Sequence, residues 1–262
     1  MARPAAILFV TEGAKTEPAF FKRIATVYQL NAEIVSVRAN IYALYEKMKS
    51  ADFQLDILGA LKEMNLSSTD RAKLERNFTY TYLVFDLDAQ HGSEKNRTAD
   101  IRSVVSANLK KLPELAEHFT DETDPTIGRL YINYPMMESY RDANTFFDDT
   151  FATRSVSLGD LHSYKSEVGK RHLCRYHTDD YTEANFSSLA KMNVFKLNTF
   201  YGAWKAMSYA DFRARSECTS ILSKETRHIL EQGKIPVLNT SLFFILDYFG
   251  NKEGFYNRII LN

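Results

Sequence analysis

Residues 5 to 21 read AAILFVTEGAKTEPAFF, and the fold turns on how this stretch is parsed. The apolar run over residues 5 to 11 is short, unbroken and ended by Gly13, which predicts a strand buried on both faces. Thr16 then reads as a helix N-cap, and Glu17 and Pro18 suit a first turn. Phe20, Phe21, Ile24, Val27 and Tyr28 follow at helical spacing on one face. A strand, a glycine turn and an amphipathic helix open a βαβ unit, and Glu12 stands at the mouth of its buried strand.

The rest of the chain extends this pattern. Residues 34 to 37 make a second strand, and residues 41 to 76 carry helical periodicity (Leu44, Met48; Leu55, Leu58, Leu61) broken at Ser67-Ser68-Thr69. That stretch reads as an inserted helical hairpin. TYTYLVFDLD, residues 79 to 88, is β-branched and aromatic and is the clearest strand. Ile101, Val104, Val105 and Leu112 mark a helix over residues 97 to 112, and RLYINY (129 to 134) is another strand before Pro135. The alternation predicts an α/β fold with a mainly parallel sheet flanked by helices. Residues 1 to 150 would form this core with its insertion. Residues 151 to 262 read as a mostly helical region packed on it, through helices at 182 to 207 and 208 to 232 and the apolar SLFFILDYF.

Composition excludes some classes. With 262 residues, 45% hydrophobic and 13% aromatic, the chain can bury a large core. Its 33 basic and 33 acidic side chains cancel, so no global field marks it as a nucleic-acid binder. Cys174 and Cys218 lie far apart without CxxC spacing, which argues against a structural zinc or a disulfide framework and fits a reducing cytoplasm. The N-terminal apolar run is too short to span a bilayer and lacks a signal-peptidase site, so no membrane contact is expected.

Function is expected where strands end, because ligands of open parallel sheets bind outside the carboxyl ends of the strands. Three candidate strands deliver acids there: Glu12 from the first, Asp86 and Asp88 from the third, and Glu138 in INYPMMESY after the fourth. Asp86 and Asp88 are two apart, so on an extended backbone both point the same way. Like charges so placed repel unless a cation joins them, and a hard divalent ion, Mg²⁺ or Mn²⁺, suits oxygen ligands of this kind.

These residues resemble a known family. E-G after the first strand and D-x-D after a later one are similar to the TOPRIM fold of topoisomerases, DnaG-type primases and OLD-family nucleases. More narrowly, TEGAKTEPAFFKRI resembles the E-G-x-x-T-E-P-x-Y-F opening of RloB-like proteins, and YLVFDLDAQH the strand and D-x-D that follow. INYPMMESY is similar in position to the family's N-P-x-F-E segment, although it reads N-Y-P-M-M-E, and would place Glu138 on the family's acid. The likeness covers residues 5 to about 142. It implies a metal-dependent nuclease cleaving DNA or RNA, the toxic effector of a bacterial anti-phage defence system working with an ATPase partner.

On that reading Asp86, Asp88 and Glu138 hold one or two Mg²⁺ or Mn²⁺ ions, and Glu12 is a further ligand or the general acid/base. Lys15, and Lys95 and Arg97 of the HGSEKNR loop, are candidates to grip phosphates, and His91 to shuttle a proton. KSEVGKRHLCRYH (165 to 177) gathers Lys165, Lys170, Arg171 and Arg175 into the strongest local basic stretch, a candidate backbone-binding surface or a solvated helix face. Its His172, Cys174 and His177 lack a nearby fourth ligand for zinc. Phe186, Phe195, Phe200, Tyr201 and Trp204 read as core rather than base-stacking residues. Two rival readings remain: a non-catalytic TOPRIM-like sensor or partner-binding subunit, and a haloacid-dehalogenase-type phosphatase, whose F-D-x-D-G-T motif FDLDAQH resembles. The sequence leaves homo-oligomerisation open.

Overall fold

The computed structural model of the chain describes residues 6–93, 100–203, 207–250, 252 and 254–261. In chain order the first half holds β1 (Ala6–Thr11), α1 (Thr16–Val27), β2 (Asn31–Ser36), α2 (Ile41–Ser50), α3 (Ile57–Lys62), α4 (Ser68–Lys73) and β3 (Tyr80–Asp86). There follow α5 (Ile101–Leu109), α6 (Leu112–His118), β4 (Thr120–Asp121) and β5 (Gly128–Asn133). The second half holds β6 (Ser155–Ser157), α7 (Tyr164–Val168), α8 (Glu183–Thr199), α9 (Tyr209–Arg215) and α10 (Cys218–Gln232). It closes with β7 (Lys234–Pro236), α11 (Phe243–Phe249) and α12 (Phe255–Ile260).

The sheet has the order β2-β1-β3-β5-β4. Its first four strands are parallel, and only the short edge strand β4 runs antiparallel, against β5. The α/β class expected from the alternation is therefore the class observed, with a helix-rich C-terminal half. Parallel strands need covered faces, and β1, β3 and β5 are buried along almost their whole length. Phe9 of β1 shows the covering: its ring stacks on Phe21 of α1 at 4.3 Å and meets Phe244 of α11 edge-on at 4.8 Å. The C-terminal half thus supplies part of the sheet's own cover, and SLFFILDYF is the buried closing helix that its composition predicts. Among the described residues no helix is long and apolar enough to cross a membrane.

Four expectations are corrected. The insertion is three short helices, not a hairpin, because Asn40, Asp56 and Ser67 each cap a fresh N-terminus. The helix expected over residues 97 to 112 is instead α5 followed by α6, with Pro113 in the first turn of α6. Thr16 does not cap α1; Lys15 holds the cap position without a side-chain bond. The helix expected over residues 208 to 232 is α9 followed by α10, which begins afresh at Cys218, and the small β4 and β6–β7 pair are too short to leave a periodic signal.

Phe9 is fully buried among Phe21, Tyr82 and Phe244, so Phe9→Ala should cost about 3–5 kcal/mol. Urea unfolding, read as a lower midpoint with an unchanged slope, checks this.

Candidate metal-binding carboxylate site

The register of the parallel strands places the acids. Thr11 pairs with Val84, and Asp86 with Asn133, so β1, β3 and β5 end at one edge of the sheet. Glu12 is fixed by its backbone on both sides: its N–H donates to Val84 O at 3.2 Å, and its carbonyl accepts from Arg38 N–H at 3.0 Å. Its side chain turns across the sheet edge, and the Asp86 N–H donates to Glu12 Oε2 at 3.1 Å.

Gly13 is needed at the turn that follows. Its N–H donates to Glu17 Oε1 at 2.9 Å, and its carbonyl accepts from Ser36 Oγ–H at 2.7 Å. A Cβ on Gly13 would stand 2.5 Å from a Glu17 carboxylate oxygen and push that side chain away. Glu17 is 6% exposed, so the second glutamate of TEGAKTE is a member of the site and not only a complement to the dipole of α1.

Glu138 follows β5 on a 3-10 turn, Met137–Arg141, and is 3% exposed. The C-terminal half holds this turn in place. Asn239 Nδ2–H donates to Met137 O at 2.9 Å and to Ser139 Oγ at 3.1 Å, while the Asn239 N–H is held by Asn193 Oδ1 at 2.7 Å. Ser241 Oγ–H donates to Asn133 Oδ1 at 2.9 Å, tying the end of β5 to the same segment.

Electrostatics shows which acids face one another. Burial raises the Glu12 carboxyl from its ordinary 4.5 to about 8, with Asp88 and Glu17 adding to the rise and the Asp86 N–H opposing it. Asp86 is raised well above 3.8 by burial, then by Glu12, Glu17 and Glu138, against a hydrogen bond from the Met137 N–H. Glu17 is raised by burial first and by Glu138 among its neighbours. Lys165 of α7 answers this charge: its ammonium contacts Glu138 Oε1, and that hydrogen bond, with further attraction to Glu17 and Asp86, raises its pKa.

Asp88 departs from the expected geometry. The strand ends at Asp86, and Asp88 takes a left-handed φ of 40°, which breaks the two-residue alternation. Asp88 Oδ1 accepts from Gln90 Nε2–H at 2.8 Å, and Oδ2 lies 3.8 Å from His91 Nδ1. Its charge adds to the rise of the Glu12 pKa. His91 is seated on the insertion, 2.9 Å from Asn40 Nδ2 and stacked on the Tyr42 ring.

The candidate phosphate-gripping residues are dispersed. Lys15 is exposed where α1 begins; Lys95 and Arg97 lie outside the described residues, as does Trp204. Lys170 pairs with Glu167, and Arg171 with Asp142 Oδ1 at 2.8 Å. Asp142 also takes Arg154 and the Tyr164 hydroxyl, each at 3.1 Å, and these groups line a cavity of about 400 Å³ that shares α7 with the site but includes none of its acids. The stretch 165 to 177 is consequently not one cationic helix face: α7 and a 3-10 turn divide it, and carboxylates hold Lys165, Lys170 and Arg171. Cys174 Sγ–H donates to Val168 O at 3.1 Å, a structural role.

Among the described residues no three His, Cys, Asp or Glu side chains form a ready-made metal cage. The donor chemistry nevertheless fits a hard cation. Asp86 Oδ1 is sealed from solvent with no hydrogen-bond partner, and Glu138 Oε1 has only the Lys165 ammonium. No family model, curated protein or solved structure matches this chain.

Glu12 binds its proton more tightly folded than unfolded, so its contribution to stability is full below pH 4.5 and is lost as pH rises toward about 8. Glu12→Gln removes that loss. In metal-free buffer the variant should unfold at a higher temperature than the parent at pH 8, with the difference vanishing below pH 4.5, as followed by calorimetry.

Proposed function

We propose that this chain is a metal-dependent nuclease of TOPRIM type, cleaving phosphodiesters of DNA or RNA. The observation that carries the reading is Asp86, a carboxylate at the end of a central strand. One of its oxygens is sealed and unpartnered, and three further acids, Glu12, Glu17 and Glu138, raise its proton affinity. Burying like charges together is costly without a cation, and the end of a parallel sheet is where a ligand is reached.

On this reading Asp86, Glu138, Glu17 and Asp88 are the acids that would draw together on Mg²⁺ or Mn²⁺. Such an ion, when bound, activates water and neutralises charge on the scissile phosphate. Glu12 Oε2 accepts from the Asp86 N–H, which orients the carboxyl to take or give a proton. Its pKa near 8 suits a general acid/base at neutral pH, and a neighbouring cation draws it down. Lys15, exposed where α1 begins, is the candidate to meet a phosphate. The resemblance to RloB-like proteins extends the reading to a cytoplasmic effector of bacterial anti-phage defence, toxic when released and paired with an ATPase.

The test is incubation of the purified protein with Mg²⁺ or Mn²⁺ and plasmid, single-stranded DNA, total RNA and tRNA. Cleavage of at least one substrate is expected, abolished by EDTA and by Asp86→Asn. Glu12→Gln should slow it at least about a hundredfold. Intact substrates across the whole panel would sink the proposal.

A further inference from the structure

Lys165 contradicts what its sequence context suggests. Set in the most basic stretch of the chain, it has a side chain 67% exposed, yet its ammonium does not face solvent alone. It contacts Glu138 Oε1, on a carboxylate that is 3% exposed, and is attracted further by Glu17 and Asp86. The acids that face one another at the sheet edge therefore share a cation already, delivered on a flexible stem from the short helix α7.

We propose that Lys165 is a tethered counter-ion that competes with the divalent ion for the carboxylate site. This rests on the metal-dependent reading above and adds to it a brake carried by the chain itself. An ionised buried carboxylate left without a partner is strongly destabilising, and in metal-free protein the Lys165 ammonium is the cation in contact with Glu138. A lysine meets that requirement reversibly. Its charge is compact, its four-carbon stem is flexible, and an exposed stem gives up little packing when it swings away. An arriving divalent ion and the ammonium repel each other at Glu138, so the ion takes the carboxylate by displacing Lys165. Affinity for the ion is lowered by the cost of that displacement. Metal-free protein keeps Glu138 in its turn, ready for use.

Calorimetric titration with Mn²⁺ tests this, using the parent, Lys165→Met and Lys165→Gln, with circular dichroism to verify that each is folded. Both variants should bind Mn²⁺ about tenfold more tightly than the parent. In a Glu138→Gln background, which already removes the contact, the same substitutions should tighten Mn²⁺ binding by no more than about twofold, through the remaining attraction of Lys165 to Glu17 and Asp86. Binding by the variants that is equal to or weaker than the parent's overturns the counter-ion role and leaves the metal site standing. A gain that persists undiminished in the Glu138→Gln background also overturns it, because Lys165 would then act mainly through another group. Absence of Mn²⁺ binding in the parent and both variants removes the metal reading, and this inference with it.

Discussion

The hydrogen bond from the Asp86 N–H to Glu12 Oε2 joins residues 74 apart in the chain, and the site depends on it. It exists because β1 and β3 are adjacent and parallel in one register, so that both strands end at the same edge. That edge is also where the carboxylates crowd. Burial there raises Glu12, Glu17 and Asp86 together, and each acid makes its neighbours harder to ionise. A fold that holds carboxylates in this way keeps a demand for positive charge built into its backbone geometry. Lys165 meets that demand in part.

The C-terminal half is a scaffold for this edge more than an addition to the sheet. Phe244 covers Phe9 and Tyr82 from one face, and Asn239 and Ser241 reach the turn of Glu138 and the end of β5. At the opposite end of β5 the buried guanidinium of Arg129 is paired with Asp247 at 3.2 Å, which also accepts from Arg213 at 2.7 Å. Here charges of both signs are buried together and satisfied. At the carboxylate edge one sign predominates, and this contrast separates a structural ion network from a candidate site.

Much of this was legible in the chain. The apolar runs announce β1, β3 and β5 because strands buried on both faces need no alternation. Acids placed directly after such runs lie at the carboxyl edge of the sheet, where the structure puts Glu12 and Asp86, with Glu138 on the turn after β5. Glu17 is visible in TEGAKTE, where the sequence suggests only a favourable first-turn acid. Only its bond to the Gly13 N–H and its neighbours show it to be part of the cluster. Pleat alternation does not reach Asp88, because the strand ends at Asp86 and Asp88 takes a positive φ.

The sequence by itself determined the α/β class, the parallel strands and the edge at which carboxylates gather, since these follow from local hydrophobic patterning and from where it stops. Tertiary structure alone decided which acids face one another, that Lys165 answers them, and that Asn239 holds the turn of Glu138. The physical reason is that burial, charge and hydrogen bonding between residues distant in the chain act over a few ångströms of space, and spacing along the chain carries no measure of that distance.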